Sequence, residues 1–229
     1  MIEQLFSQPL FWLTATLGAY LFGLTIYKSF NNPSWLPPVL TGFLLMIFLL
    51  EVTGTTFETY SQGGQFLSIF LGPVVVALAV PLYQQIHTMK GQALRILLAI
   101  IVGSATTVAV AVALTYYFIG DDLIAKTMAT KSVTTPIAVA ISEEIDAITA
   151  LAATFVMVTG IIGSVITPAI LRTLKLDDPQ AMGVSLGVCS HAVGTSRAIE
   201  LGQTETAYAA MAMTLTGGIH AFLLPLLLA

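Results

Sequence analysis

Charge is what this sequence has least of. Only 9% of its 229 residues are Asp, Glu, Lys or Arg, against about 25% in a soluble domain. Too few charges remain to cover a water-facing surface, and a mean hydropathy of +0.91 agrees. A soluble globular enzyme and a disordered chain are both excluded. The eight Lys and Arg are scattered and form no patch for a phosphate backbone, which excludes a nucleic-acid binder. Cys189 is the lone cysteine, so no intrachain disulfide forms and no redox compartment is implied. Three separated histidines and that cysteine offer no metal-ligand spacing. No nucleophile-base pair is evident, so neither an enzyme nor a cofactor is expected.

What is present is hydrophobic length. Uncharged tracts cover 4–27, 29–50, 59–86, 96–120, 147–171 and 206–229. A helix needs about 20 apolar residues to cross a bilayer core, so six spans are expected. Backbone amides in lipid must pair internally, which favours helices. The tracts do not alternate, which argues against an outer-membrane barrel. The first lacks a basic leader (Glu3 is its only early charge) and is read as a retained span rather than a signal peptide.

Two further tracts are too short or too polar to span. One runs from Ser132 to Ser142; the other, 179–196, holds Ser185, Ser190, His191, Gly194, Thr195 and Ser196. Segments of this kind re-enter, lie at interfaces or are buried, and irregular backbone at depth must line protein or water. With re-entrant segments near 132–142 and 184–198 and an outside N-terminus, Lys28, Lys90, Arg95, Arg172, Lys175 and Arg197 face the cytoplasm. Only Lys126 and Lys131 then lie outside, as the positive-inside rule prefers. The two re-entrant segments and the spans after them then have opposite orientations, an arrangement of secondary transporters. The expected fold is therefore all-α and polytopic: about six spans plus two oppositely oriented re-entrant helices. It forms one domain, with 1–60 a two-helix scaffold and 61–229 the core. Both termini are expected outside. Pro73 and Pro81 are expected to kink the third span.

The polar segments carry the chemistry. Ser132, Thr134 and Thr135 gather three hydroxyls before Pro136. A helix begun at Pro136 would aim its positive end at these threonines, and such an end binds small anions. The plainer reading is N-capping by Thr135. Ser190-His191-Ala192-Val193-Gly194-Thr195-Ser196-Arg197 places two ionisable groups and three hydroxyls in eight residues. Ionisable groups inside membrane segments usually mark a pathway or site. Arg197 can hold a carboxylate with two parallel bonds, or it can be an interfacial anchor paired with Glu200. His191 titrates near neutral pH and can carry a proton. Glu143, Glu144 and Asp146 read as a solvated turn, and His220 as a histidine bonded to a neighbouring helix. Gly183 and Gly187 form a small-residue face for close packing.

At these residues the sequence resembles the CidB/LrgB family of bacterial inner-membrane proteins. The matching words are Leu71-Gly72-Pro73 with Ala77 to Tyr83, Lys131 to Ala138, Thr159 to Gly163, and Ser190-His191 with Gly194-Thr195 and Arg197-Ala198. Ala192 departs from the family's usual glycine, and 144–147 replace a glycine-rich turn. The resemblance implies one of two functions. One is antiholin-like control of murein hydrolase export and lysis. The other is transport of small monocarboxylates of the pyruvate or glycolate type; the polar segments themselves then put Ser132, Thr134, Thr135, Pro136, Ser190, His191, Gly194, Thr195 and Arg197 at the substrate. It further implies a small holin-like partner of the LrgA/CidA type and assembly into a homo- or hetero-oligomer.

Overall fold

The computed structural model describes residues 8–31, 36–70 and 90–228, with single positions 6, 33, 73, 76, 77, 80, 83, 84 and 87. All regular structure among them is helical, in nine α-helices and one 3-10 turn. Four helices are long and apolar enough to cross a membrane, which makes the chain a polytopic helical membrane protein. The chain divides into two compact units, 1–77 and 78–229.

The first unit holds α1 (Pro9–Ser29), α2 (Pro38–Thr53) and α3 (Phe57–Ser68). Proline starts α1 and α2 in the first turn, where its missing amide costs nothing. α2 has 16 residues, short of the about 20 needed to span. Pro33, Pro37 and Pro38 bar helix from the start of that tract. α2 ends on Gly54 in the left-handed region at φ 62°. The unit's core is Trp12, fully buried, with its indole nitrogen donating to the Phe6 carbonyl at 2.8 Å. The third tract yields α3; much of 71–89, including the expected kink at Pro81, lies outside the described residues.

The second unit begins with α4 (Ala93–Phe118). Next come α5 (Asp122–Ala129), a 3-10 turn (Thr130–Ser132) and α6 (Thr135–Glu144). The last three helices are α7 (Thr149–Thr173), α8 (Pro179–Leu201) and α9 (Gln203–Leu228). α5 runs back along α4. At its base the Tyr116 hydroxyl donates to Asp122. Higher up, Met128 and Lys131 share a groove with Ala111 and Thr115. At its tip the Ser132 hydroxyl donates to Thr107 Oγ1 at 3.3 Å. α6 then returns, and the Ile148 amide donates to Thr127 Oγ1 at 3.1 Å near the base. Residues 122–144 are thus a helical hairpin. Its incoming limb of 11 residues is about 16 Å long at 1.5 Å per residue, half of a roughly 30 Å bilayer core.

α8 is a second hairpin. Asp178 caps it by accepting from the Ala181 amide at 2.9 Å, and Pro179 opens the first turn. His191 breaks the helix at φ 41° and ψ −126°. The chain then turns back. A Cβ on Gly194 would strike the Leu186 carbonyl, eight residues earlier, whereas those residues stand about 12 Å apart in a straight helix. Pro179 and Met182 line one groove with Leu201 and Glu205, so the two ends of α8 lie together. Gly183 and Gly187 let α9 approach: a Cβ at Gly183 would meet the Glu205 carbonyl at 2.5 Å and the Tyr208 Cβ at 2.8 Å.

The two hairpins enter from opposite ends. The base of the second lies with Arg172 at the end of α7 and Glu205 at the start of α9. The base of the first lies at the end of α4 and the start of α7. There Ala138, Ile141 and Ile145 share a cluster with Leu224 and, partly buried, Leu228 from the end of α9. Glu143→Cys and Asp177→Cys, each in a Cys189→Ser background, should therefore react with an impermeant thiol reagent from opposite membrane faces. Labelling of both from one side would overturn this arrangement.

The structure corrects the sequence reading at one charge. Lys131 was expected outside with Lys126. It instead rides the incoming limb to the hairpin tip, because the re-entrant unit begins ten residues earlier than the 132–142 tract.

Candidate functional site

The two tips meet at the waist of the three long helices. Ser132 reaches Thr107, near the middle of α4. A Cβ on Gly103 would sit 3.6 Å from Val188, close to the second tip. The His191 ring bonds the Val156 carbonyl of α7 at 3.0 Å. Thr195 Oγ1 touches Met213 Sδ of α9 at 3.6 Å, and Gly217 of α9 faces Ile137 of α6. Small residues make this possible. A Cβ on Gly160 would lie 2.7 Å from His191 Cε1, and one on Gly163 would collide with the Ser190 hydroxyl.

His191 is held in place on both sides. It is 2% exposed. Its ring nitrogen Nε2 faces a carbonyl, which can only accept, so Nε2 carries hydrogen. Thr195 Oγ1 donates to the His191 carbonyl at 2.9 Å. A non-glycine residue at this φ stores about 1–3 kcal/mol of strain and persists only where its surroundings hold it. Among the described residues, Nδ1 is left buried with no hydrogen-bond partner, as are Ser190 Oγ and, on α9, Thr216 Oγ1. Each such atom costs about 1–3 kcal/mol, and buried polar groups are normally satisfied. Their grouping beside the tip makes it the candidate polar site.

The first tip supplies the opposite polarity. Thr134, not Thr135, is the N-cap of α6, and its side chain makes no capping bond. The plain capping reading of Thr135 therefore does not hold. Thr135 is the first helical residue and Pro136 the second, so the first turn presents its positive end with one amide removed. Ser132 is fully buried, while Thr134 and Thr135 are half-buried and Pro136 is exposed. The Lys131 ammonium donates to Ser132 Oγ at 3.2 Å and lies within electrostatic reach of Cys189, His191 and His220.

Ser132, Ser190, His191 and Thr195 are thus brought to one level, with Thr134 and Thr135 at the facing tip. Gly194 serves the hairpin's close return. Arg197 lies apart. It stands six residues down the returning limb, about 9 Å along the axis, 3% exposed and in an ion pair with Glu200. Glu143, Glu144 and Asp146 are exposed at the hairpin base. His220 is 3% exposed, but its Nδ1 has no partner, so the expected bond to a neighbouring helix is not formed there. It lines a groove of about 270 Å³ with Ser104 and Leu224. Sequence reasoning missed Lys131, Thr107, Thr216 and Gly160 as neighbours of the site. Only the Gly160-x-x-Gly163 spacing could have flagged the face of α7 that receives His191.

Two helical hairpins, entering from opposite ends and meeting among three long apolar helices, define a membrane protein built on oppositely oriented units. The LrgB-like family model matches residues 16–229, and the chain belongs to that family. It is 33% identical over 218 residues to proteins named antiholin-like protein LrgB from Bacillus mycoides, Bacillus cereus and Bacillus anthracis. Each alignment covers 95% of both chains. No solved structure matches.

Proposed function

We propose that the chain carries small monocarboxylates of the pyruvate or glycolate type across a bacterial inner membrane, coupled to protons. It works with a small holin-like partner of the LrgA/CidA type, with both termini outside and 1–60 as scaffold to a core of 61–229. The observation that carries this reading is the meeting of two buried polar hairpin tips at the centre of the helical unit. A lysis regulator acting only through lipid-facing contacts needs no such centre, and buried polar groups are costly there. Ser132, Thr134, Thr135 and the helix end at Pro136 cradle the carboxylate. Ser190, Gly194 and Thr195 shape the facing wall. His191 accepts and releases the proton at Nδ1, the ring atom with no hydrogen-bond partner among the described residues. Arg197, held by Glu200, supplies positive charge along the returning limb. Alternating access moves one inverted unit against the other.

The second reading, an antiholin-like regulator of murein hydrolase export with no transport of its own, is favoured by the name the relatives carry. Proteoliposomes separate the two. Radiolabelled pyruvate, glycolate and acetate are offered under an inward proton gradient, with and without the partner. Uptake of at least one acid, collapsed by a protonophore, is expected. No uptake of any, with insertion verified, overturns the carrier reading and leaves the regulator.

A further inference from the structure

We infer that Lys131 is the cation that receives the substrate carboxylate and restricts the site to monoanions. The inference rests on the carrier reading above and adds a residue and a selectivity to it. Lys131 stands at the first tip and Arg197 six residues down the limb that returns from the second, and the two differ in their pairing. Arg197 already has its carboxylate in Glu200. Lys131 has one hydrogen bond, to the Ser132 hydroxyl, and no ion pair among the described residues. An ammonium carries three donors, and the half-buried Lys131 gives one of them to a protein oxygen.

Among the described residues, no carboxylate from any packed element stands near it. On its own hairpin, Asp122 is nine residues away at the base of the incoming limb, about 13 Å along the axis. Glu143, Glu144 and Asp146 are exposed at the base of the other limb. On α8 and α9, Glu200 and Glu205 lie towards the opposite base, where Glu205 lines a groove with Leu201. α4 and α7 carry no Asp or Glu along their helical lengths. The neighbours that remain are Cys189, His191 and His220, none of which offers a carboxylate.

The local field is therefore positive and uncompensated. The uncapped first turn of α6 adds to it, because a helix N-terminus behaves as about half a positive charge. One ammonium with one helix end matches one carboxylate. While His191 is neutral, a dicarboxylate would bring a second negative charge to a place with no second unpaired cation among the described residues. A neutral amide would leave the ammonium unpaired. Monocarboxylates are thus selected by charge count as well as by size.

The test uses the full chain in proteoliposomes and in detergent. Lys131→Gln should raise the KM for pyruvate roughly 10–100-fold, the loss of one charge-assisted hydrogen bond. Lys131→Arg should hold KM within about threefold, since it keeps the charge. Pyruvate should raise the unfolding temperature of the wild type but not of Lys131→Gln. Glycolate should compete with pyruvate for the wild type, and malonate and lactamide should not. A Lys131→Gln protein with wild-type KM, or a Lys131→Arg protein as impaired as Lys131→Gln, overturns the inference and leaves the carrier reading standing. A wild type that neither takes up any acid nor responds to pyruvate removes the carrier reading itself. Where Lys131→Gln fails to insert, the wild type decides. Pyruvate should shield Lys131, read by peptide mass, from an amine acylating reagent, and equal acylation with and without pyruvate overturns the inference.

Discussion

Gly194→Ala will open the second hairpin and lower the unfolding temperature by roughly 6–12 °C, at 2–4 °C per kcal/mol for a chain of this size. The added Cβ meets backbone, not a movable side chain. It would collide with the Leu186 carbonyl oxygen and stand 2.9 Å from the Leu186 carbonyl carbon and 2.7 Å from the Ser190 Cβ. Overpacking costs about 1–3 kcal/mol where side chains can shift. Here the two limbs themselves must separate, so a cost of about 3 kcal/mol, the top of that range, is expected. Gly218→Ala is the matched control. Nothing lies within 4 Å of its Cβ, and alanine suits a helix better than glycine by about 1 kcal/mol. Thermal unfolding in detergent reads both variants. Equal midpoints for Gly194→Ala and the wild type would show that the limbs do not lie back to back.

Gly160→Ala is the second large effect, and it falls on activity rather than stability. Its Cβ would lie 2.7 Å from His191 Cε1, 3.0 Å from Nε2 and 2.9 Å from a methyl of Val193. The ring must swing away and give up the Val156 carbonyl, a bond worth about 1 kcal/mol net. The fold loses little, because a side chain can move where backbone cannot. Uptake should fall roughly 100-fold, the scale at which a 1 Å displacement acts on a positioned group. The proton dependence of uptake should flatten at the same time, because Nδ1 no longer faces the site. Uptake by Gly160→Ala equal to the wild type, with unchanged dependence on the proton gradient, would remove His191 from the proposed mechanism.

How much of this was legible depends on how local each cause is. The apolar lengths of α1, α4, α7 and α9 are visible in the sequence, because bilayer thickness sets a run length that neighbouring residues satisfy by themselves. Pro179 and Asp178 announce the start of α8 for the same reason. The 16 residues of α2 follow from three prolines that a count of uncharged residues does not weigh. The site was legible as composition and only partly as geometry. Ser190, His191 and Thr195 stand out because polar groups are rare in such a chain. Nothing in the spacing of residues 121–131 tells a short amphipathic surface helix from the first limb of a hairpin. That ambiguity put Lys131 on the wrong level. Arg197 carried two readings in the sequence, a holder of a substrate carboxylate and a partner of Glu200, and the fold forms the pair with Glu200, three residues on and one helical turn away.

The sequence by itself determined that this chain dissolves in lipid as helices and that two stretches, around Thr134 and around His191, are too hydrophilic to face acyl chains. Those properties follow from side-chain transfer energies summed over neighbours. That both stretches re-enter was expected from the charge pattern; only the tertiary structure decided where each hairpin begins and turns, that the two tips arrive at the same depth, and that Lys131 travels inward with one of them. The physical reason is contact between residues far apart along the chain. Glycine at 160 and 163 leaves room for a turn that begins near residue 190, and glycine at 194 leaves room for the carbonyl of Leu186. Such vacancies have no signature until both partners are in place.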